Sequence, residues 1–397
     1  MITKISIENY KSITKLDFSP GRFNILIGEN GGGKSNLLEA ISYGVAASLD
    51  KLDNEFLGLR GIRVTESQFM VSAFEEKEDK NVCIFFESDD FTKDVRVMID
   101  PQTHIGFSAT SEVDPDLPEN NNINIRLSLD TDAFIKGHLT EEFFNTLKDQ
   151  LQKSGLIKGL VQDNRWIEGV VSRDVKIGES LKTFVFYCPE ESALRTFRDD
   201  YQLLPLGRKG EGLFKYLKDL SRTPEGRSML WEISNNLCLL DWFDHIEVPE
   251  VDLSKDYTVH VKDRYVADTL SFFDQRSTNE GFLYLLFYFT LFISKDTPSF
   301  FAIDNIESSF NPKLCTKVIE TLQKLAVKHN KQVILTTHNP FILDGLDLSD
   351  DDQRLFVVRR NDEGHTKVKR VEYKPERKKN LSELWMSGAI GGLPDNF

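Results

Sequence analysis

The first residues able to do chemistry stand in the order Gly28-Glu29-Asn30-Gly31-Gly32-Gly33-Lys34-Ser35-Asn36. From Gly28 to Ser35 the spacing fits G-x-x-x-x-G-K-[ST], a phosphate-binding loop. Glycines let the backbone curl until several N–H groups point at one anion. Lys34 supplies a point charge for β- and γ-phosphates, and the Ser35 hydroxyl can ligate Mg²⁺. The apolar run Ile25 to Ile27 enters the turn, and the helix-forming Leu37-Leu38-Glu39-Ala40-Ile41 leaves it. A helix starting here adds its positive dipole end to the anion site. An ordinary glycine-rich turn between strand and helix is the competing description. The expected nucleotide-binding set is Asn30, Gly31, Gly32, Gly33, Lys34, Ser35 and Asn36.

A second chemical cluster lies in the last third. Phe300-Phe301-Ala302-Ile303 is an unbroken apolar run ending in Asp304, the form of a central parallel strand with a carboxylate at its carboxyl edge. Paired with a phosphate loop, Asp304 would hold Mg²⁺ directly or through water. Asn311 then caps a helix with Pro312 at its first position. Val333-Ile334-Leu335 is another buried strand, and it delivers Thr336-Thr337-His338-Asn339-Pro340 to the same edge, with His338 facing the γ-phosphate position.

The elements that must position these groups occupy a chain of 397 residues, enough for one large domain or two to three smaller ones. Its hydrophobic fraction of 40% and charged fraction of 28% are those of a globular protein. The net charge of −14 argues against indiscriminate coating of nucleic acid, which needs Lys and Arg to displace counterions. Met1 to Ile5 lacks the apolar core of a signal peptide, and the apolar run Gly281 to Ile293 is short of the ~20 residues that span a bilayer. Cys83, Cys188, Cys238 and Cys315 have no metal-ligand spacing and read as buried thiols, so the expected location is cytoplasmic, with no membrane partner.

Alternation over residues 2 to 8, a short strand at Leu16 to Phe18, and β-rich segments at Asn81 to Glu87 and Val95 to Ile99 predict an antiparallel meander. Residues 100 to 140 read as loops with short strands, and Glu141 to Leu156 as a helix. Phe184 to Tyr187 is a short strand. Leu203 to Trp242 reads as a helical subdomain broken at Pro224, followed by strands at Glu247 to Val251 and Tyr257 to Val261. Leu355 to Val358 and Val368 to Val371 pair across Asp362-Glu363-Gly364. The expected fold class is α/β: a P-loop NTPase core with a mixed, largely parallel sheet, an N-terminal antiparallel β-subdomain and a helical lid insertion. The expected domains are 1–100 (N-terminal lobe with the phosphate loop), 101–182 (loop-rich insertion), 183–262 (helical lid) and 263–397 (C-terminal lobe).

The phosphate loop, the strand ending in Asp304 and Thr337-His338-Asn339-Pro340 together resemble the RecF- and SMC-like branch of ATP-binding-cassette ATPases. The closing Leu381-Ser382-Glu383-Leu384-Trp385 through Gly391-Gly392-Leu393 is similar to the tail of bacterial AAA family ATPases of this type, many of them in antiphage operons with a partner nuclease or toxin. The resemblance implies ATP and Mg²⁺ as cofactors, Walker A at Gly28 to Ser35, Walker B at Asp304 and a His switch at His338. It also implies a homodimer or higher homo-oligomer with ATP sandwiched between protomers. Each site would combine one P-loop with the partner's signature segment, here Asn279-Glu280-Gly281, where Asn279 stands in place of the usual Ser. A helix cap is the plainer account of Asn279 and Gly281. Gln68 is the candidate Mg²⁺-sensing glutamine, against a plain surface Gln.

One departure matters most. The family's Walker B ends Asp-Glu, the Glu being the base, whereas this chain reads Asp304-Asn305. Asn can position a water but cannot accept its proton. Hydrolysis is then slow by design, or Glu307 or His338 supplies the missing function, or the Asn is an engineered substitution. For Glu307 itself a solvated loop carboxylate is expected. Arg60 and Arg63 are expected to pair with nearby acids, Lys374 to Lys379 to form a solvated linker, and Trp385 to anchor the C-terminal helix. The expected function is an ATPase that dimerises on Mg-ATP and regulates an effector encoded nearby, a nuclease or toxin in antiphage defence. A RecF-like DNA-binding ATPase and a non-hydrolysing scaffold are the rivals.

Overall fold

The computed structural model describes residues 1–49, 51–52, 54–63, 70–72, 74, 81–89, 179–196, 205–248, 259–267, 272–273, 277–377 and 379–393. It also describes the backbones of strands 92–99, 106–111, 125–128, 160–163 and 166–169. Gln68 and the expected helix Glu141 to Leu156 lie outside the described residues.

Strand β1 (Ile2–Tyr10) pairs antiparallel with β2 (Ile13–Phe18), and the next strand, β3 (Phe23–Ile27), leaves for a different sheet. The antiparallel sheet continues through β4 (Asn81–Ser88), β5 (Thr92–Ile99), β6 (Gly106–Ser111), β7 (Ile125–Ser128), β8 (Leu160–Asp163) and β9 (Trp166–Gly169). Its order is β2-β1-β4-β5-β6-β7-β9-β8, so strands from the stretch read as loop-rich extend the meander.

The second sheet holds β10 (Val185–Tyr187), β13 (Phe300–Ile303), β14 (Gln332–Thr337), β3, β15 (Gln353–Arg360) and β16 (Thr366–Arg370), in that order. All adjacent pairs from β10 to β15 are parallel, and only β16 runs against its neighbour. Every residue of β3, β13 and β14 is buried, as the near-continuous apolar runs of a doubly covered parallel sheet require. The two faces separate with period two. Ile25, Ile27, Ile303, Leu335 and Val357 belong to one core, and Leu26, Ala302, Ile334, Phe356 and Val358 to the other.

Helix Lys34–Ser48 packs in the second of these cores, with the antiparallel sheet around it. On the opposite face lie helices Leu213–Ser221, Pro224–Leu237, Glu280–Ile293 and Pro312–Lys328. Helix Glu280–Ile293 buries every residue from Phe282 to Ile293, and each large apolar side chain contributes about 1.5–3 kcal/mol by leaving water. No helix among the described residues is long and apolar enough to cross a membrane.

Strand β11 (Phe243–Glu247) and strand β12 (His260–Asp263) form a separate antiparallel ribbon. Of the expected strands Glu247 to Val251 and Tyr257 to Val261, residues 249–258 lie outside the described residues, and the ribbon includes Glu247, His260 and Val261.

Candidate functional site

The parallel register decides where the chemistry collects. Ile303 lies beside Leu335, Leu335 beside Ile25, and Ile25 beside Leu355. Gly28, Asp304 and His338, each one residue past its strand, therefore emerge at one carboxyl edge.

The loop after β3 is held very tightly. A Cβ on Gly28 would sit 1.9 Å from the Val358 carbonyl oxygen, and Gly33 has φ 107° with Thr366 directly against it. Gly33 is the N-cap of helix Lys34–Ser48 and supplies no side-chain cap, so the first-turn N–H groups keep their capacity for an anion. Lys34 Nζ donates to the Gly28 carbonyl at 2.8 Å and the Glu29 carbonyl at 3.0 Å. Ser35 and Asn36 follow in the same turn, half-buried. Burial lowers the Lys34 ammonium to about 8, against the pull of Asp304, Glu307 and Glu29.

Phosphate oxygens beside Lys34 would restore its ordinary affinity for a proton. Free protein at pH 9 would therefore take up a proton on binding the phosphates of a nucleotide such as ATP. Affinity is expected to fall about tenfold between pH 7 and pH 9. Calorimetry in buffers of different ionisation enthalpy checks this: no proton uptake at pH 9 would contradict it.

The Asp304 N–H donates to the Tyr187 carbonyl at 2.9 Å, and its carboxylate accepts from the Thr336 hydroxyl. Asn305 is exposed, has φ 54°, and donates its N–H to Thr336 Oγ1 at 3.0 Å. Glu307 is not a solvated carboxylate. Its Oε1 accepts from the His338 N–H at 2.8 Å, and its Oε2 is buried without a partner. The turn from Asp304 to Phe310 folds it back over the strand edge, which sequence spacing does not reveal. Partial burial and the Lys34 cation hold the His338 imidazole below its ordinary 6.5, so it is neutral at pH 7.

Gly28 to Asn36, Asp304, Asn305, Glu307 and His338 are thus brought to one sheet edge. Asn279 and Gly281 lie at the start of helix Glu280–Ile293. Asn279 is the N-cap of helix Glu280–Ile293, its Oδ1 accepting from the Phe282 N–H at 2.8 Å, and Gly281 lies against Ser309 and Phe310. Arg63 pairs with Glu39 at 2.5 Å, as expected. Arg60 instead donates to the carbonyls of Phe184 and Lys182. Two of the four cysteines, Cys83 and Cys188, are half-buried and Cys238 is exposed, so only Cys315 is the buried thiol expected.

Three residues that brace the loop were not singled out from sequence. Thr366 Oγ1 donates to the Gly32 carbonyl at 3.2 Å and meets Ser12 Oγ at 2.7 Å. The Arg360 Nε donates to the Gly31 carbonyl at 2.9 Å, and Asn36 ties its own helix to Ser12 at 2.6 Å. Thr366 and Arg360 lie more than three hundred residues from the loop, and only the β15–β16 hairpin returns them to it.

A parallel sheet with a phosphate loop after β3, an aspartate after β13 and a histidine after β14 defines a P-loop nucleotide-binding head. A solved structure shares the fold. The head in "Crystal structure of the SmcHead bound to the C-winged helix domain of ScpA" superposes with a TM-score of 0.54 at 16% identity, covering 94% of this chain and 98% of that one. An Smc head with an extended coiled coil, bound to the C-terminal domain of ScpA derived from Pyrococcus furiosus, gives a TM-score of 0.49 at 13% identity, covering 98% of each chain. In sequence, the DNA replication and repair protein RecF of Mannheimia succiniciproducens is 30% identical over 104 residues, 23% of this chain. The match spans only 29% of that relative's length. A family model described as "AAA domain" matches residues 4–233, more than half of the chain. The chain belongs to this AAA-domain family. A second model, "AAA domain, putative AbiEii toxin, Type IV TA system", matches residues 248–344.

Proposed function

We propose that the chain is a slow Mg-ATP-dependent switch that pairs with a second copy of itself and controls an effector protein. Lys34 and the Gly31–Asn36 backbone would hold the phosphates. Ser35 and Asp304 offer a hydroxyl and a carboxylate beside the Lys34 cation, an oxygen donor set that suits Mg²⁺ with phosphate and water as its remaining ligands. Magnesium there would neutralise charge on the γ-phosphate. Asn305 would orient the attacking water, neutral His338 would accept a hydrogen bond or a proton, and Glu307 would fix the His338 loop through its N–H. Gln68 is retained as a Mg²⁺-sensing candidate.

The observation that carries the pairing is the position of Asn279-Glu280-Gly281. It begins a buried helix beside Ser309 and Phe310, and a second copy would bring it to the γ-phosphate. Antiphage defence, with a nuclease or toxin as the controlled partner and a cytoplasmic location, is the setting that the C-terminal tail and the toxin-system family match favour. Asn305 favours one rival, a scaffold that binds ATP without turning it over. The RecF match favours another, DNA bound across the dimer, against which stands the charge of −14.

Light scattering with saturating Mg-ATP tests the pairing. The mass is expected to double from 45.5 kDa with ATP and not with ADP. A monomer under conditions where ATP binding is separately measured would overturn it.

A further inference from the structure

Beneath the Asp304 turn lies a buried polar pair that the nucleotide chemistry does not account for. The Tyr288 hydroxyl and Glu307 Oε2 are both buried without a hydrogen-bond partner. One is a donor and the other an acceptor, and leaving either unpaired inside a fold is costly. They sit on helix Glu280–Ile293 and on the turn after Asp304, near enough that the Glu307 carboxylate acts on the Tyr288 phenol. The Tyr288 ring packs edge-on against Phe310 with centroids 6.2 Å apart, and the Phe310 N–H donates to the Glu307 carbonyl at 3.2 Å. Burial, with Tyr284, Glu307 and Cys188 facing it, raises the Tyr288 phenol well above its ordinary range, so it stays a neutral donor. Burial and the same Glu307 also push the Cys315 thiol up to about 11.

We propose that Tyr288 is the positioning residue of Glu307: its hydroxyl donates to Oε2 through one buried water and clamps the carboxylate whose Oε1 holds the His338 N–H. The chain of contacts then runs from helix Glu280–Ile293, which begins at Asn279, through Tyr288 and Glu307 to His338 at the γ-phosphate edge. A signature segment engaged by a second copy and a histidine at the first copy's own nucleotide are thereby tied to one helix. The inference rests on the ATPase reading for its kinetic consequence, but the contact itself does not.

Tyr288→Phe removes one oxygen and keeps the ring. Its kcat for ATP is expected to fall about tenfold with KM within twofold, because the ground-state phosphate contacts are untouched. Glu307→Gln is expected to do the same, and the double variant to be no worse than either single one. In urea unfolding without nucleotide, the two substitutions are expected to be non-additive. An unpartnered hydroxyl would behave oppositely: Tyr288→Phe would stabilise the fold, leave kcat unchanged, and add independently to Glu307→Gln. That result overturns the proposal. If wild-type protein shows no turnover, the ATPase reading fails, and the unfolding cycle still decides whether Tyr288 and Glu307 are joined.

Discussion

Lys34→Ala abolishes nucleotide binding at micromolar concentrations while the protein stays folded. The ammonium's two bonds, to the Gly28 and Glu29 carbonyls, close the empty loop on itself. Phosphate oxygens would replace those carbonyls with charge-assisted partners, roughly twice as strong as neutral ones. Losing them costs about 3 kcal/mol, about a hundredfold in Kd. The effect on stability has the opposite sign. Burial lowers the folded-state value to about 8 from 10.5. The unfolded chain therefore holds this proton more tightly, and the buried cation opposes folding. That cost is fully present below pH 8 and fades as pH rises toward 10.5. Near neutral pH the variant should melt no lower than the parent, as circular dichroism would record. Fluorescent-nucleotide titration supplies the affinity. Unchanged ATP binding in a folded variant would remove Lys34 from the site.

Asn305→Glu is expected to raise ATP turnover about a hundredfold, the lower range of what a positioned general base contributes. Asn305 is exposed immediately after Asp304, and its N–H is anchored on Thr336, so a longer side chain has room and a fixed root. The backbone exacts something in return. At φ 54° the residue is left-handed, a conformation Asn adopts more readily than Glu, and the change costs about 1 kcal/mol of stability. Asn305→Asp separates the two effects, because Asp tolerates that backbone and carries a shorter carboxylate. Steady-state phosphate release reads all three proteins. Brisk turnover by the parent, unaltered by Glu, would show that another group already serves as base.

Much of the sheet edge was legible because its signals are local. Lys34 and Ser35 follow their glycine at a fixed spacing, and Asp304 ends a four-residue apolar run. Asn311 and Pro312 announce a helix, and the Asn311 side chain does cap it, accepting from the Leu314 N–H at 3.0 Å. The bracing residues were hidden for the opposite reason. Thr366, Ser12 and Arg360 are ordinary polar residues until the β15–β16 hairpin and the β1–β2 turn meet the loop. Glu307 was misread because spacing places a carboxylate near a site without saying which way its two oxygens turn. Arg60 was misread because the partners it found are backbone carbonyls, which any residue type can present.

The central place of β3 has a consequence for how the protein comes into being. Its neighbours on both sides, β14 and β15, begin at residues 332 and 353. During synthesis the phosphate-loop strand therefore exists with both hydrogen-bonding edges bare until residues 332 and 353 and the strands they begin have been made. Pairings of such long sequence separation are slow to form, and bare edges invite association with other chains. A nascent or truncated chain would carry the sequence hallmark of a nucleotide site without the sheet that makes it one. The nucleotide-site edge is thus assembled late, once strands far apart in sequence have joined β3.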